Sequence, residues 1–240
     1  MDSELKSMLD RASELLKELK DEYESSFETF KVTDKAKNLT HEILEKLRHA
    51  LDHTMSRAWE KFIAPNLSKE KRETARVFFP IGKNLHALAS ILGQARIKVK
   101  DLEKNNKALY DFLLKKQPFS AKENKWLELL SKISGKGKHF RLAPQKRIQE
   151  IKSIEVSTVG GSKVKWNPSA VKFGKGIKVL GAPIDAKTQR VVPTAFVVEK
   201  VEAWVSFMFD GYGVNAFKFC NEAYTKTRAL IEEMVKAFKL

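Results

Sequence analysis

Residues 38–63, NLTHEILEKLRHALDHTMSRAWEKFI, decide the first half of the fold. Leu39, Ile43, Leu47, Ala50, Leu51, Thr54, Ala58 and Phe62 recur at helical spacing and form one broad apolar stripe, as expected of a helix that buries one side in a core. Pro65 ends the pattern, because proline lacks the N–H that an interior helical position needs. The stretch also concentrates unusual chemistry: Arg48, His49, Asp52 and His53 fall within six residues of a chain that has five histidines.

On a helical wheel at about 100° per residue, with Ile43 at zero, the apolar stripe centres near roughly 60°. Arg48 and Asp52 then lie near roughly 140° and 180°, with His41 beside them, while His49 and His53 lie near roughly 240° and 280°. The cluster is thus split over two flanks, and a site using both Arg48 and His53 needs a second helix or a second subunit to complete it.

Working outward, residues 2 to about 30 carry Leu5, Met8, Leu9, Leu15, Leu16 and Leu19 at helical spacing, which predicts a first helix with Ser3 available as its N-cap. VFFPIGKN (77–84) reads as a short extended piece before a helix over about 85–94. Helical patterning resumes in KVKDLEKNNKALYDFLLKK, breaks at Gln117-Pro118, and returns in KENKWLELLSKI. From Ile151 the character changes. IKSIEVSTVGGSKVKW reads as two strands around Gly160-Gly161, and VVPTAFVVEKVEAWVSFMF is β-branched and aromatic. A helix over about 214–238 closes the chain. The expected fold class is α+β: an N-terminal helical bundle over 1–150 that carries the Arg48/His53 helix, then over 151–240 a small antiparallel sheet and a C-terminal helix, packed on the first part as one unit.

Composition narrows the function. The chain has 240 residues, 42% hydrophobic and 31% charged, which fits a soluble globular protein. No apolar run approaches the roughly 18–20 residues of a spanning helix, and the charged N-terminus shows no secretory pattern, so a cytoplasmic location without membrane contact is expected. The single cysteine, Cys220, excludes an internal disulfide framework and cysteine-rich zinc modules. The net charge of +15 is uneven: residues 1–60 hold 10 Lys and Arg against 14 Asp and Glu, residues 61–150 hold 21 against 8, and residues 151–240 hold 14 against 8. Such a field favours polyanions, of which nucleic acid is the commonest, and a lysine-rich solvated surface is the plainer account of the same numbers.

Three readings of LRHALDH compete. In the first, Arg48 and Asp52 form an i,i+4 ion pair worth a few tenths of a kcal/mol, and the histidines are ordinary half-buried imidazoles. In the second, HALDH has the outline of an inverted zinc motif with Asp52 in the acidic position, although no third ligand is evident. In the third, Arg48 and His53 resemble the Arg-polar-x-x-x-His motif of HEPN domains, helical and usually dimeric proteins. That resemblance implies a metal-independent endoribonuclease site assembled across a homodimer, with His53 as general acid or base and Arg48 stabilising the phosphorane charge. The residue types suit the task, since imidazole titrates near neutrality and a guanidinium forks onto phosphate oxygens.

A wider resemblance covers about residues 38–144. LRHALDHTMSRAW, RVFFPIG, LLKKQPF and LELLSKISGKGKHFRLAP follow the order of a family of uncharacterised bacterial proteins with L-R-x-x-L-D-H, F-P-I, Q-P-[FY] and N-x-x-K-H elements. Here Gly135-Lys136-Gly137 stands where that family has Asn-Ile-Asp. The resemblance marks Arg48, Asp52, His53, Lys138 and His139 as positions of interest without naming their task. Lys138 and His139, at a glycine-rich helix exit, would form a cationic rim for a phosphate, suit a helix C-terminus, or contact Asp52.

The expectation is an RNA-binding protein or HEPN-like endoribonuclease, of the kind that serves as a toxin or defence component with a separate antitoxin, with catalytic Arg48 and His53 supported by His49, Asp52, Lys138 and His139, and with no metal or cofactor. The alternatives are a non-enzymatic interaction or nucleic-acid-binding protein in which the motif is structural, and, third, a metal-dependent hydrolase.

Overall fold

The computed structural model describes residues 2–29, 33–94, 102–137, 145–209 and 211–240. It shows an α+β protein in which helices open and close the chain around antiparallel strands.

Two long helices begin it. α1 (Ser3–Thr29) starts where Asp2 Oδ1 accepts the Leu5 N–H at 2.8 Å, so Asp2 and not Ser3 is the cap. α2 (Asp34–Phe62) starts at Thr33, whose hydroxyl oxygen accepts the Ala36 N–H at 3.0 Å, four residues earlier than the apolar pattern alone suggests. Such caps contribute about 1 kcal/mol each by satisfying otherwise orphaned donors. The Thr33 hydroxyl also donates to Glu22 on α1, and Asp2 meets His53 near the far end of α2. These two contacts make α1 and α2 an antiparallel hairpin.

Short helices follow: α3 (Lys69–Glu73), α4 (Leu85–Leu92), α5 (Leu102–Asn105), α6 (Lys107–Lys115) and α7 (Lys125–Gly137). Asn84 and Asn106 cap α4 and α6 through their side-chain oxygens. The sequence pattern for residues 98–116 predicts continuous helix, but Asn106 interrupts it, because its amide competes for the backbone donors that a helix interior would use.

The strands are β1 (Gln145–Thr158), β2 (Lys163–Trp166), β3 (Lys178–Val179), β4 (Ala182–Pro183), β5 (Val197–Phe209) and β6 (Val214–Asn215). One antiparallel sheet has the order β2-β1-β5-β6, and β3 pairs with β4. The first strand begins at Gln145 rather than Ile151. β1 and β2 turn at Gly160-Gly161, as the sequence predicts, with Gly161 at φ +85°, where a side chain would be strained.

α8 (Ala216–Phe238) closes the chain. Its N–H at Phe217 donates to the Tyr23 hydroxyl near the end of α1, and Lys61 at the end of α2 donates to the carbonyls of Phe238 and Lys239. Hence α8 runs beside α2 in the same direction and against α1. Leu15, Leu19, Ile43, Leu44, Leu47, Leu51 and Met55 are fully buried in the shared core with Ile231 and Met234 of α8. Each such side chain contributes about 1.5–3 kcal/mol.

A second, smaller core sits among the strands: Ile154, Val156, Trp166, Val179, Ala182, Ile184 and Val191. β5 joins the two. Its Phe209 end lies in the helical core, edge-on to Phe219 at 6.0 Å, and its Val197 end packs on the small core. Thirteen residues of strand span roughly 40 Å at about 3.3 Å per residue. The β lobe therefore stands at the far end of a ribbon.

Candidate functional site

The apolar stripe of α2 faces α1 and α8, which leaves its two flanks to meet different neighbours. On one flank, Arg48 and Asp52 lie one turn apart and bond to each other, Nη2 to Oδ1 at 2.9 Å and Nε to Oδ2 at 3.3 Å. Both also reach the extended segment after α3. Arg48 Nη2 donates to the Phe79 carbonyl at 2.8 Å, and Asp52 Oδ1 accepts the Phe79 N–H at 2.8 Å. The pair thus satisfies both backbone polar groups of a residue whose side chain is fully buried, and leaving either group unpaired there would cost about 1–3 kcal/mol.

Gln117 continues the same clamp. Its amide is buried, accepts the Gly82 N–H at 2.7 Å, and donates to the carbonyls of Pro80 at 3.0 Å and Leu113 at 2.9 Å. Gly82 is required because a Cβ there would lie 2.7 Å from the Leu88 backbone nitrogen, inside α4. LRHALDH, RVFFPIG and LLKKQPF, separate in sequence, therefore interlock through Arg48, Asp52 and Gln117 around residues 79–82. The sequence marked Gln117-Pro118 as a helix break and Phe79 as extended chain, but nothing local signalled that each supplies half of a hydrogen-bond pair.

A cleft of about 320 Å³ opens beside this clamp, between Arg48 and Asp52 of α2, Arg76 and Phe78 of the extended segment, and Ser131 and Ser134 of α7. Arg48 is largely covered, its side chain 13% exposed, yet its Nη1 has no hydrogen bond to a described residue. Arg76 is exposed and has no ion pair among the described residues. In the sequence, Arg76 stood out only as the first residue of RVFFPIG.

On the other flank, His53 meets the start of α1. Its Nε2 lies 3.2 Å from Asp2 Oδ2, and Arg57 Nη1 lies 3.6 Å from the same oxygen. The Leu5 N–H first, then the His53 contact, hold the Asp2 carboxyl below the usual carboxylate range. His49 is exposed. Arg48 and His53 share no partner among the described residues, as the wheel leads one to expect. Lys138 and His139 lie outside the described residues. Among those described, no group of three or more His, Cys, Asp or Glu is placed to hold a metal, and no helix is long and apolar enough to cross a membrane.

The β lobe carries a third grouping. Val156 pairs with Val164 and Ile154 with Trp166 on the face that covers the small core. The alternate positions face outward: Lys163 opposite Ser157 opposite Val198, and Lys165 opposite Glu155 opposite Lys200. All three lysines are exposed, with Glu155 4.0 Å from Lys163 as the one carboxylate in those two rows. From Val159 to Val198 the chain has seven Lys and Arg and one acid, Asp185, whose carboxylate is taken up by the N–H groups of Lys187 and Thr188 at 2.8 Å each.

Fold and site together define an α+β protein with a clamped helical body and a basic β lobe. Comparisons with family models, with curated proteins and with solved structures find no match for the chain.

Proposed function

We propose that this is a non-enzymatic nucleic-acid-binding protein that grips RNA through the open face of its β lobe, with the Arg48–Asp52 helix serving as a structural brace. The observation that carries this reading is the placement of Lys163, Lys165 and Lys200 in adjacent rows of one exposed sheet face around a single glutamate. Ammonium groups at sheet spacing meet backbone phosphates whatever the sequence, and release of counterions supplies the affinity. Val198, 66% exposed in the same row as Lys163, offers apolar contact to sugars and bases.

The HEPN-like ribonuclease reading needs Arg48 and His53 at one scissile phosphate in a homodimer. It draws less support, because each side chain is engaged elsewhere, Arg48 on Phe79 and His53 on Asp2.

The test is fluorescence anisotropy with a labelled single-stranded RNA in EDTA, comparing the wild type with the triple variant Lys163→Glu, Lys165→Glu, Lys200→Glu. Binding that weakens at least about tenfold in the triple variant, with unchanged melting temperature and intact RNA, is expected. Equal binding by both proteins sinks the proposal. Cleavage that disappears in His53→Ala would instead establish the ribonuclease.

A further inference from the structure

Besides the lobe, the helical body holds the cleft between Arg48, Arg76 and α7, whose chemistry the clamp does not exhaust. Asp52, the carboxylate in its wall, is spent internally: Oδ1 takes the Phe79 N–H and Arg48 Nη2, and Oδ2 takes Arg48 Nε. Those contacts fix the Arg48 guanidinium in one orientation, so presenting Nη1 to a ligand costs little further side-chain entropy. Arg76 adds a second guanidinium with no described partner, and its charge is not cancelled within the wall. Two arginines lining one cleft supply the N–H donors that the oxygens of a phosphate accept.

The opposite wall has the reverse character. Gly135 belongs to the last turn of α7, where the final carbonyls have no partner further along the helix and carry the negative end of its dipole. The Ser134 hydroxyl already donates to the Leu130 carbonyl at 2.7 Å, whereas Ser131 makes no such bond among the described residues. That wall accepts hydrogen bonds and repels a bare anion. A ligand that satisfies both sides carries a phosphate at one end and hydroxyl donors at the other. The volume, about 320 Å³, lies at the small end of ligand sites and suits one sugar with its phosphate.

We infer that this cleft binds a sugar phosphate group, with the phosphate on Arg76 and Arg48 and the sugar hydroxyls toward Ser131 and the end of α7. The group comes either as a free sugar phosphate or as the 5′-phosphorylated end of an RNA strand. The site is separate from the lobe and stands whether or not the lobe binds RNA.

The experiment is thermal melting and calorimetric titration of the full chain with ribose 5-phosphate and, separately, with inorganic phosphate. Wild type, Arg76→Gln, Arg76→Lys and the triple lysine variant are compared. Arg76 is exposed, so its substitution leaves the fold intact. The expected result is a concentration-dependent rise in Tm with ribose 5-phosphate, larger than with inorganic phosphate. It should be abolished in Arg76→Gln, partly restored in Arg76→Lys, and unaffected in the triple variant. A rise of equal size in Arg76→Gln, or no rise at millimolar ligand, overturns the inference. A second arm compares 5′-phosphorylated with 5′-hydroxyl oligoribonucleotides. Tighter binding of the phosphorylated strand that is lost in Arg76→Gln identifies the strand end as the source, and ribose 5-phosphate binding without that preference identifies the free sugar phosphate.

Discussion

Asp52 accepts the backbone N–H of Phe79 while Arg48, one turn earlier, donates to the carbonyl of the same residue, both at 2.8 Å. Two side chains of one helix thereby replace the strand partner that an isolated extended segment lacks.

Removal of Asp52 leaves a buried N–H and one side of a guanidinium unpaired. Asp52→Ala is expected to lower stability by about 1–3 kcal/mol, which in a chain of this size lowers Tm by about 2–4 °C per kcal/mol. The double variant Arg48→Ala/Asp52→Ala should cost less than the sum of the two singles, since the second change removes a partner already lost. Additive losses in denaturant melts would show that the clamp is not a unit.

Gln117 is a stricter case because its amide serves three backbone groups in a fully buried place. Gln117→Leu keeps the approximate volume but orphans the Gly82 N–H and the Pro80 carbonyl, and a loss of about 2–4 kcal/mol is expected. A chemical melt within about 0.5 kcal/mol of wild type would contradict the hydrogen bonds described here.

The Asp2 carboxyl is lowered from its ordinary value of 3.8 by the Leu5 N–H and then by His53. A depressed folded-state value stabilises above the unfolded one and is lost as pH falls through the folded one. The stabilisation from Asp2 should therefore be full and independent of pH above about pH 5 and should be lost as pH drops below 3.8. Asp2→Asn should remove that part of the acid slope. Urea melts between pH 2 and 7 read it directly, and an unchanged slope would show that the carboxyl does not hold α1 to His53.

Salt reports on the lobe. Each phosphate neutralised contributes about 0.7–0.9 to the slope of log K against log salt, so reversal of Lys163, Lys165 and Lys200 should reduce the slope magnitude by about 2–3. The anisotropy titration repeated from 50 to 300 mM salt measures it. A weaker affinity with the same slope would point to a misfolded lobe rather than lost phosphate contacts.

The apolar stripes of α1 and α2, the break at Gln117-Pro118, the hairpin at Gly160-Gly161 and the closing helix were all legible, because periodicity and turn residues act over a few positions. The split of LRHALDH into two flanks was legible for the same reason: helical geometry fixes which side chains share a side. What opposes each flank is decided by contacts between residues far apart in the chain. Arg48 to Phe79 spans 31 positions and His53 to Asp2 spans 51. No local pattern records them, because a backbone N–H at Phe79 or a cap at Asp2 has the same sequence appearance whether or not a distant side chain reaches it. Sequence determined the helices, the strands and the charge of this protein. Only the tertiary structure decided that Arg48 and Asp52 brace a buried backbone, that Arg76 joins them at a cleft, and that three lysines from two strands share one open face.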